Sequence, residues 1–389
     1  MSSAFTSLSG RILTPDGWLL GRIEFDQHIR AITPDASAPA ERIILPGFID
    51  LHVHGGAGVD IMEGTVDGRN SAEQVARAHA QHGTTALLGT TMTASPAAIE
   101  HALEGLSAAI QGRAARGSGM PRILGVHLEG PFINAKRLGA QPNVVCSATL
   151  EQVRHYHAIA PIKVLTLAPE LSGHLALIPQ LNEMGIRVQI GHSAGSYEDG
   201  LAALQAGVAG FTHLFNGMTP LNHYQPGIVG AALAHAQFAE LIPDLQHVHP
   251  GAMRTAMRAI PQLYCVTDAT AATGMPDGEY ALGSQRVLKC QGCVRLASGS
   301  LAGSALTMDQ ALRNLLSIGV DLAAASHALS RNPADYLGLS DRGRIAPGAW
   351  ADLLSFDTEM QLQAVVIEGE ALSLNPDRPD QSVAKDAHA

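Results

Sequence analysis

From about residue 43 onward the chain alternates short apolar runs with longer stretches of helical periodicity. Eight runs read as strands: 47–54, 84–90, 123–129, 162–168, 187–192, 209–213, 239–245 and 264–268. Most are rich in β-branched residues or leucine, and each ends near a polar residue or glycine. Helical segments lie between them. In the one over 71–81, Ser71 and Gln74 have the spacing of a capping box, and Gly83 stands just past the end. Strands alternating with helices imply parallel pairing through right-handed crossovers. Eight such units over roughly 220 residues fit a (β/α)8 barrel, which typically takes about 250. An open doubly wound sheet competes, but no glycine-rich phosphate loop follows the first strand.

The flanks differ in pattern. Residues 6–45 read as short strands with turns at 14–17 and 33–36, and 344–357 and 363–372 return to strand-and-turn composition. The predicted fold is therefore α/β. A TIM-like barrel spans 46–343, and 1–45 with 344–389 build a small flanking β-sandwich from both chain ends. The polar tail from Asn375 is expected to be disordered.

A length of 389 residues carries a soft prior of two to three domains and buries a large core. Only 15% of residues are charged and 46% are hydrophobic, which excludes a long coiled coil or a disordered chain. Four cysteines and a start without a basic-then-apolar signal point to a reducing cytoplasm. No apolar run approaches the ~18 residues of a membrane-spanning helix. A formal charge of −10 disfavours nonspecific nucleic-acid binding, yet leaves room for an anionic substrate held by local donors. The 18 histidines, against 25 Lys plus Arg, suggest that some are ligands.

Barrel active sites sit at the C-terminal ends of the strands, so polar strand ends matter most. The first strand ends His52-Val53-His54, with both imidazoles on one face. The third ends at Glu129, the fifth at His192, the sixth at His213 and the eighth at Asp268. A lone histidine at a strand end is usually a hydrogen-bonded core or loop residue. Six such groups ending five strands of one barrel instead have the composition of a divalent-metal site. A metal there lowers the pKa of bound water and polarises a carbonyl, and a free carboxylate beside it shuttles the proton.

These residues also match a family. PGFIDLHVHGG (46–56) resembles the opening motif of the amidohydrolase superfamily. HLEGPFIN (127–134), QIGHS (189–193), THLFNGM (212–218), VTDATAATG (266–274) and LAGSALTM (301–308) together resemble N-acetylglucosamine-6-phosphate deacetylases, over about residues 43–357. The resemblance implies a homodimeric metal-dependent barrel that removes acetyl from an amino sugar phosphate. By position, Glu129, His192 and His213 would hold the primary metal and Asp268 would be the catalytic acid/base. His52 and His54 fall where the family carries either His-x-His or Gln-x-Asn, so a second metal is expected to contact them. Zn, Fe, Mn and Co all accept this ligand set, at one or two per chain.

Substrate contacts carry over to Ala140, Asn216, Gly217, His247, Leu301, Ala302 and Gly303. Two further positions depart from the family pattern: Gln141 replaces a histidine, and Tyr224 replaces the arginine expected to clamp phosphate. The alternative substrates are N-acetylgalactosamine 6-phosphate or a sugar without phosphate. An N-acyl amino-acid deacetylase or cyclic amidase is disfavoured, because such relatives carry a lysine at the end of strand four and Lys163 sits at its start. A non-enzymatic sugar-binding relative would have lost a ligand or the acid, and none of these residues is lost. Cys290-Gln291-Gly292-Cys293 reads as a hairpin turn rather than a metal knuckle. His79, His82, His155 and His157 are expected on the surface. His249, one strand period from His247, is a further candidate for the site.

Overall fold

The computed structural model describes residues 6–112 and 120–375, so most of the polar tail, 376–389, lies outside the described residues. Eight parallel strands form the central layer: Phe48–Val53, Thr84–Thr91, Arg122–Glu129, Ile162–Leu167, Arg187–Ile190, Gly210–Phe211, Glu240–Leu241 and Tyr264–Cys265. The first six follow chain order in one sheet, and the last two pair with each other. Scattered backbone hydrogen bonds close the two remaining gaps. Leu214 N–H donates to Glu240 O (2.9 Å), Asp268 N–H to His52 O (3.0 Å) and His54 N–H to Ala269 O (2.9 Å). The result is a TIM-like barrel. Every residue of Phe48–Val53 and Thr84–Thr91 is buried, because helices cover the outside of a parallel sheet whose inside is also filled.

The helix Ser71–Ala80 begins one residue earlier than the capping-box spacing suggests. Asn70 is the cap, its side chain accepting from Glu73 N–H (3.1 Å), and Ser71 is a buried first-turn residue. Gly83 follows with φ +87°, where a Cβ would meet the Phe48 ring at 3.0 Å.

Both chain ends meet in one seven-stranded sheet, in the order Glu370–Leu372, Leu362–Ile367, Leu353–Phe356, Ile43–Pro46, Thr6–Thr14, Gly17–Phe25, Ile29–Pro34. Its strands alternate between two cores. Leu13, Ile43, Leu45, Leu354 and Val365 join the barrel core, whereas Ile12, Ile44, Leu353 and Val366 join a separate one with Ile23 and Phe25. Arg342 ties the two units together, because its guanidinium meets both Asp352 and Glu368. Glu368 also accepts three bonds from Arg122, at the base of the third barrel strand (2.9, 3.1 and 3.1 Å).

A three-stranded antiparallel sheet over Gly278–Leu282, Gln285–Cys290 and Cys293–Leu296 packs Leu282, Val287 and Val294 against Met92 and Ala302. Cys290 pairs with Cys293 across a two-residue turn. Gln291 and Gly292 there have φ of +50° and +77°, a primed hairpin turn. Among the described residues, no helix is long and apolar enough to cross a membrane.

Candidate metal centre

The strand ends converge at one rim of the barrel. His52 and His54 leave the first strand, Glu129 ends the third, and His192, His213 and Asp268 lie just past the fifth, sixth and eighth. The last three have φ of +47°, +29° and +51°, a left-handed backbone that non-glycine residues seldom adopt. Such conformations cost on the order of 1–3 kcal/mol each and concentrate at functional sites. All six residues are buried.

Two triads of donor atoms result. His192 Nε2 and His213 Nε2 lie 3.1 and 3.0 Å from Glu129 Oε1, and 3.1 Å from each other. His52 Nε2 and His54 Nε2 are 3.1 Å apart, and 3.5 and 3.3 Å from Asp268 Oδ1. Glu129 reaches across, with Oε2 3.3 Å from His54 Nε2. An ion bonded to N and O at about 2.0–2.2 Å brings neighbouring ligand atoms to roughly 3.0–3.5 Å of one another. The donor set fits a divalent cation.

The backs of two rings fix which nitrogen faces inward. His192 Nδ1–H donates to Arg137 O (2.8 Å), and His52 Nδ1–H donates to Glu240 Oε2 (3.0 Å), so each Nε2 offers a lone pair. A third grouping, His52 with His127 and Glu240, is different. His127 Nδ1–H is engaged by Leu51 O (3.1 Å) and its Nε2 lies 2.7 Å from Thr166 Oγ1, so both nitrogens are occupied.

Charge matches the geometry. Burial pushes the Glu129 carboxyl up, but His52, His192 and His213 hold it well below the usual carboxylate range. Burial pulls His54 down, yet Asp268 and Glu129 raise it to about 9. Asp268 is likewise lowered against burial by His52 and His54. A divalent cation displaces the protons that such a cluster otherwise shares.

A cleft of about 600 Å³ opens over the cluster. Seven expected substrate contacts line it: Ala140, Gln141, Asn216, Gly217, His247, Leu301 and Gly303. Ala302 does not. It lies between Leu301 and Gly303, faces the opposite way and packs under the three-stranded sheet, with no exposed area. Tyr224 is 84% exposed on a loop away from the cleft, its ring against His223.

Gln141 does more than line the wall. Its Nε2 donates to Glu129 Oε2 (2.6 Å) while its Oε1 accepts from Thr93 N–H (2.7 Å), so it braces a member of the cluster. His247 Nδ1–H donates to Asp244 Oδ2 (2.7 Å), and Asp244 raises its pKa against the pull of burial.

Three surface or site expectations change. His249 caps the helix Pro250–Ala259, accepting from Gly251 N–H, and stays outside the cleft. His79 and His82 are buried rather than exposed: His79 turns inward to Gly55 O (2.9 Å) and His82 to Asp309 (3.2 Å). Sequence reasoning also missed Glu240 and the cleft-wall residues Met92 and Leu282. A carboxylate and a glutamine inside otherwise apolar strands, at Glu240 and Gln189, were the available signal.

Residues 43–379 match the model of the amidohydrolase family. The chain is 37% identical to N-acetylgalactosamine-6-phosphate deacetylase of Escherichia coli O157:H7, over 93% of this chain and 98% of that one. It is also 37% identical to N-acetylglucosamine-6-phosphate deacetylase of Lysinibacillus sphaericus, covering 93% and 94%. A mutant N-acetyl-D-glucosamine-6-phosphate deacetylase from Mycobacterium smegmatis, solved in complex with N-acetyl-D-glucosamine-6-phosphate, superposes with TM-score 0.87 at 31% identity, covering 95% and 100%.

Proposed function

The chain belongs to the amidohydrolase family, and from that premise we propose that it hydrolyses the N-acetyl group of an amino sugar phosphate. The substrate is N-acetylglucosamine 6-phosphate, giving glucosamine 6-phosphate and acetate. One observation carries the reading: a buried carboxylate, Asp268, faces two imidazoles at the floor of a cleft walled by seven expected sugar contacts.

Glu129, His192 and His213 would hold a primary divalent cation, and His52 and His54 a second. Bound there, such a cation polarises the acetyl carbonyl and acidifies water. Asp268 takes a proton from the attacking water. It then returns that proton to the sugar nitrogen as the C–N bond breaks, because an amine leaves poorly unless protonated. Gln141 keeps Glu129 in place, and His247, which also lines the cleft, orients the sugar. The reading extends to a homodimer, as the family resemblance implies, and to a reducing cytoplasm, which the four free cysteines favour. It also takes the seven-stranded sheet as the flanking β-sandwich.

The test is acetate release from a panel of N-acetylated amino sugars of gluco and galacto configuration, with and without 6-phosphate. Replacing Asp268→Asn should leave the fold and the primary cation held by Glu129, His192 and His213 intact while kcat falls about 10²–10⁴-fold. A fully active variant removes Asp268 from the acid/base role.

A further inference from the structure

The barrel interior beneath the cleft is polar where such barrels are usually filled by branched apolar side chains. Starting from Glu240, a hydrogen-bonded chain runs inward. Tyr264 O–H donates to Glu240 Oε1 (3.3 Å), Gln189 Nε2–H to Tyr264 Oη (2.6 Å), and Thr212 O–H to Gln189 Oε1 (2.8 Å). Thr166 and His127 continue it, with Thr212 Oγ1 and Thr166 Oγ1 2.7 Å apart. All six residues have no exposed area.

This network meets the candidate ligands through Glu240 Oε2. That one oxygen accepts from His52 Nδ1–H (3.0 Å) and from the backbone N–H of His213 (3.1 Å). His52 belongs to the triad with His54 and Asp268, and His213 to the triad with Glu129 and His192. Oε2 therefore sets two things. It keeps the proton of His52 on Nδ1, so that Nε2 presents a lone pair. It also anchors the backbone of His213 in its strained φ of +29°.

We propose that Glu240 is a positioning residue that braces both triads for cation binding from one carboxylate oxygen. The inference rests on the divalent-cation reading above. Its chemistry is the general one of a carboxylate behind a ligating imidazole, whose loss typically weakens metal affinity about 10–100-fold. An alternative, purely structural role would lower stability with or without metal.

The experiment titrates chelator-stripped protein with cobalt(II), following ligand-field absorption, and measures Tm before and after loading. Glu240→Leu removes the acceptor. It should weaken the site that includes His52 about 10–100-fold and shrink the cobalt-induced rise in Tm. Glu240→Gln keeps an acceptor oxygen but loses the charge, and should fall between wild type and Glu240→Leu, about tenfold weaker. If Glu240→Leu does not fold, Glu240→Gln alone decides. Cobalt affinities within twofold of wild type, or an unchanged cobalt-induced rise in Tm beside a less stable stripped protein, overturn the proposal. A wild-type protein that binds no cobalt overturns the cation reading and this inference with it.

Discussion

His79, on the helix Ser71–Ala80, points inward against Gly55 and is only 1% exposed. Its Nε2–H donates to Gly55 O, while its Nδ1 is buried without a partner. Burial therefore holds its pKa down to about 4, because a second proton would place an unpaired charge in the core. The sign follows from linkage. The unfolded chain binds a proton near pH 6.5 and the folded chain does not, so this contribution is complete above 6.5 and is lost as pH falls toward 4. Between pH 7 and pH 5 the wild type should lose about 2 kcal/mol more than His79→Gln in denaturant unfolding. Equal losses in the two proteins would show that burial does not depress the His79 pKa. Its inward turn was not legible in the sequence, and neither was the place of Glu240. A side chain's neighbours across a barrel come from seven other strands, and a single run of sequence carries no record of them.

Elements were far more legible than partners. All eight strands fall inside or beside the runs read from apolar patterning, because strands covered on both faces need near-continuous apolar sequence. Three of them, Gly210–Phe211, Glu240–Leu241 and Tyr264–Cys265, shrink to two residues where the ladder gives way to scattered closing bonds. The sheet over 278–296 was legible only at its Cys290–Cys293 turn. One of its faces meets solvent, so Glu279, Arg286 and Arg295 interrupt the apolar pattern and mimic a loop. The ring of candidate ligands was readable because strand direction alone places every strand end at the same rim. The first strand adds its own consequence, since a two-residue period aims His52 and His54 together and brings their Nε2 atoms to 3.1 Å. Metal-replete protein should hold between one and two ions per chain, and the double change His52→Ala with His54→Ala should remove the weaker one. Elemental analysis and acetate release check this. Wild-type metal content and rate in the double variant would make the pair structural.

At the scale of the whole molecule, two electrostatic arrangements matter. Arg342, with side chain 5% exposed, joins Asp352 and Glu368 of the end sheet, and Arg122 reaches the same glutamate from the barrel. Arg342→Met removes the buried cation that Asp352 and Glu368 share, which should destabilise the protein by about 3 kcal/mol. A loss under about 1 kcal/mol, within the range of an exposed pair, would show the cluster to be solvated. The second arrangement concerns the substrate anion. The chain carries a formal charge of −10, and the described lining of the cleft contains neither Lys nor Arg. Tyr224, where an arginine was expected, stands 84% exposed away from it. On the proposed reading, imidazole is the positive group this lining offers a phosphate, and His247 fits the part: burial pulls its pKa down, but Asp244, 2.7 Å from its Nδ1–H, raises it above the usual histidine value. A phosphate monoester becomes a dianion above about pH 6. Its advantage over the free sugar should therefore be greatest between that pH and the raised pKa of His247, and should shrink as pH climbs through the latter. A charged donor exceeds a neutral one by about 1 kcal/mol or somewhat more, so the ratio of kcat/KM values should fall roughly tenfold across that range. His247→Gln should flatten the dependence and leave the free sugar less affected. If the phosphate advantage in the wild type shows no alkaline decline above pH 6 that His247→Gln removes, or survives unchanged in His247→Gln, the anion is held by another group.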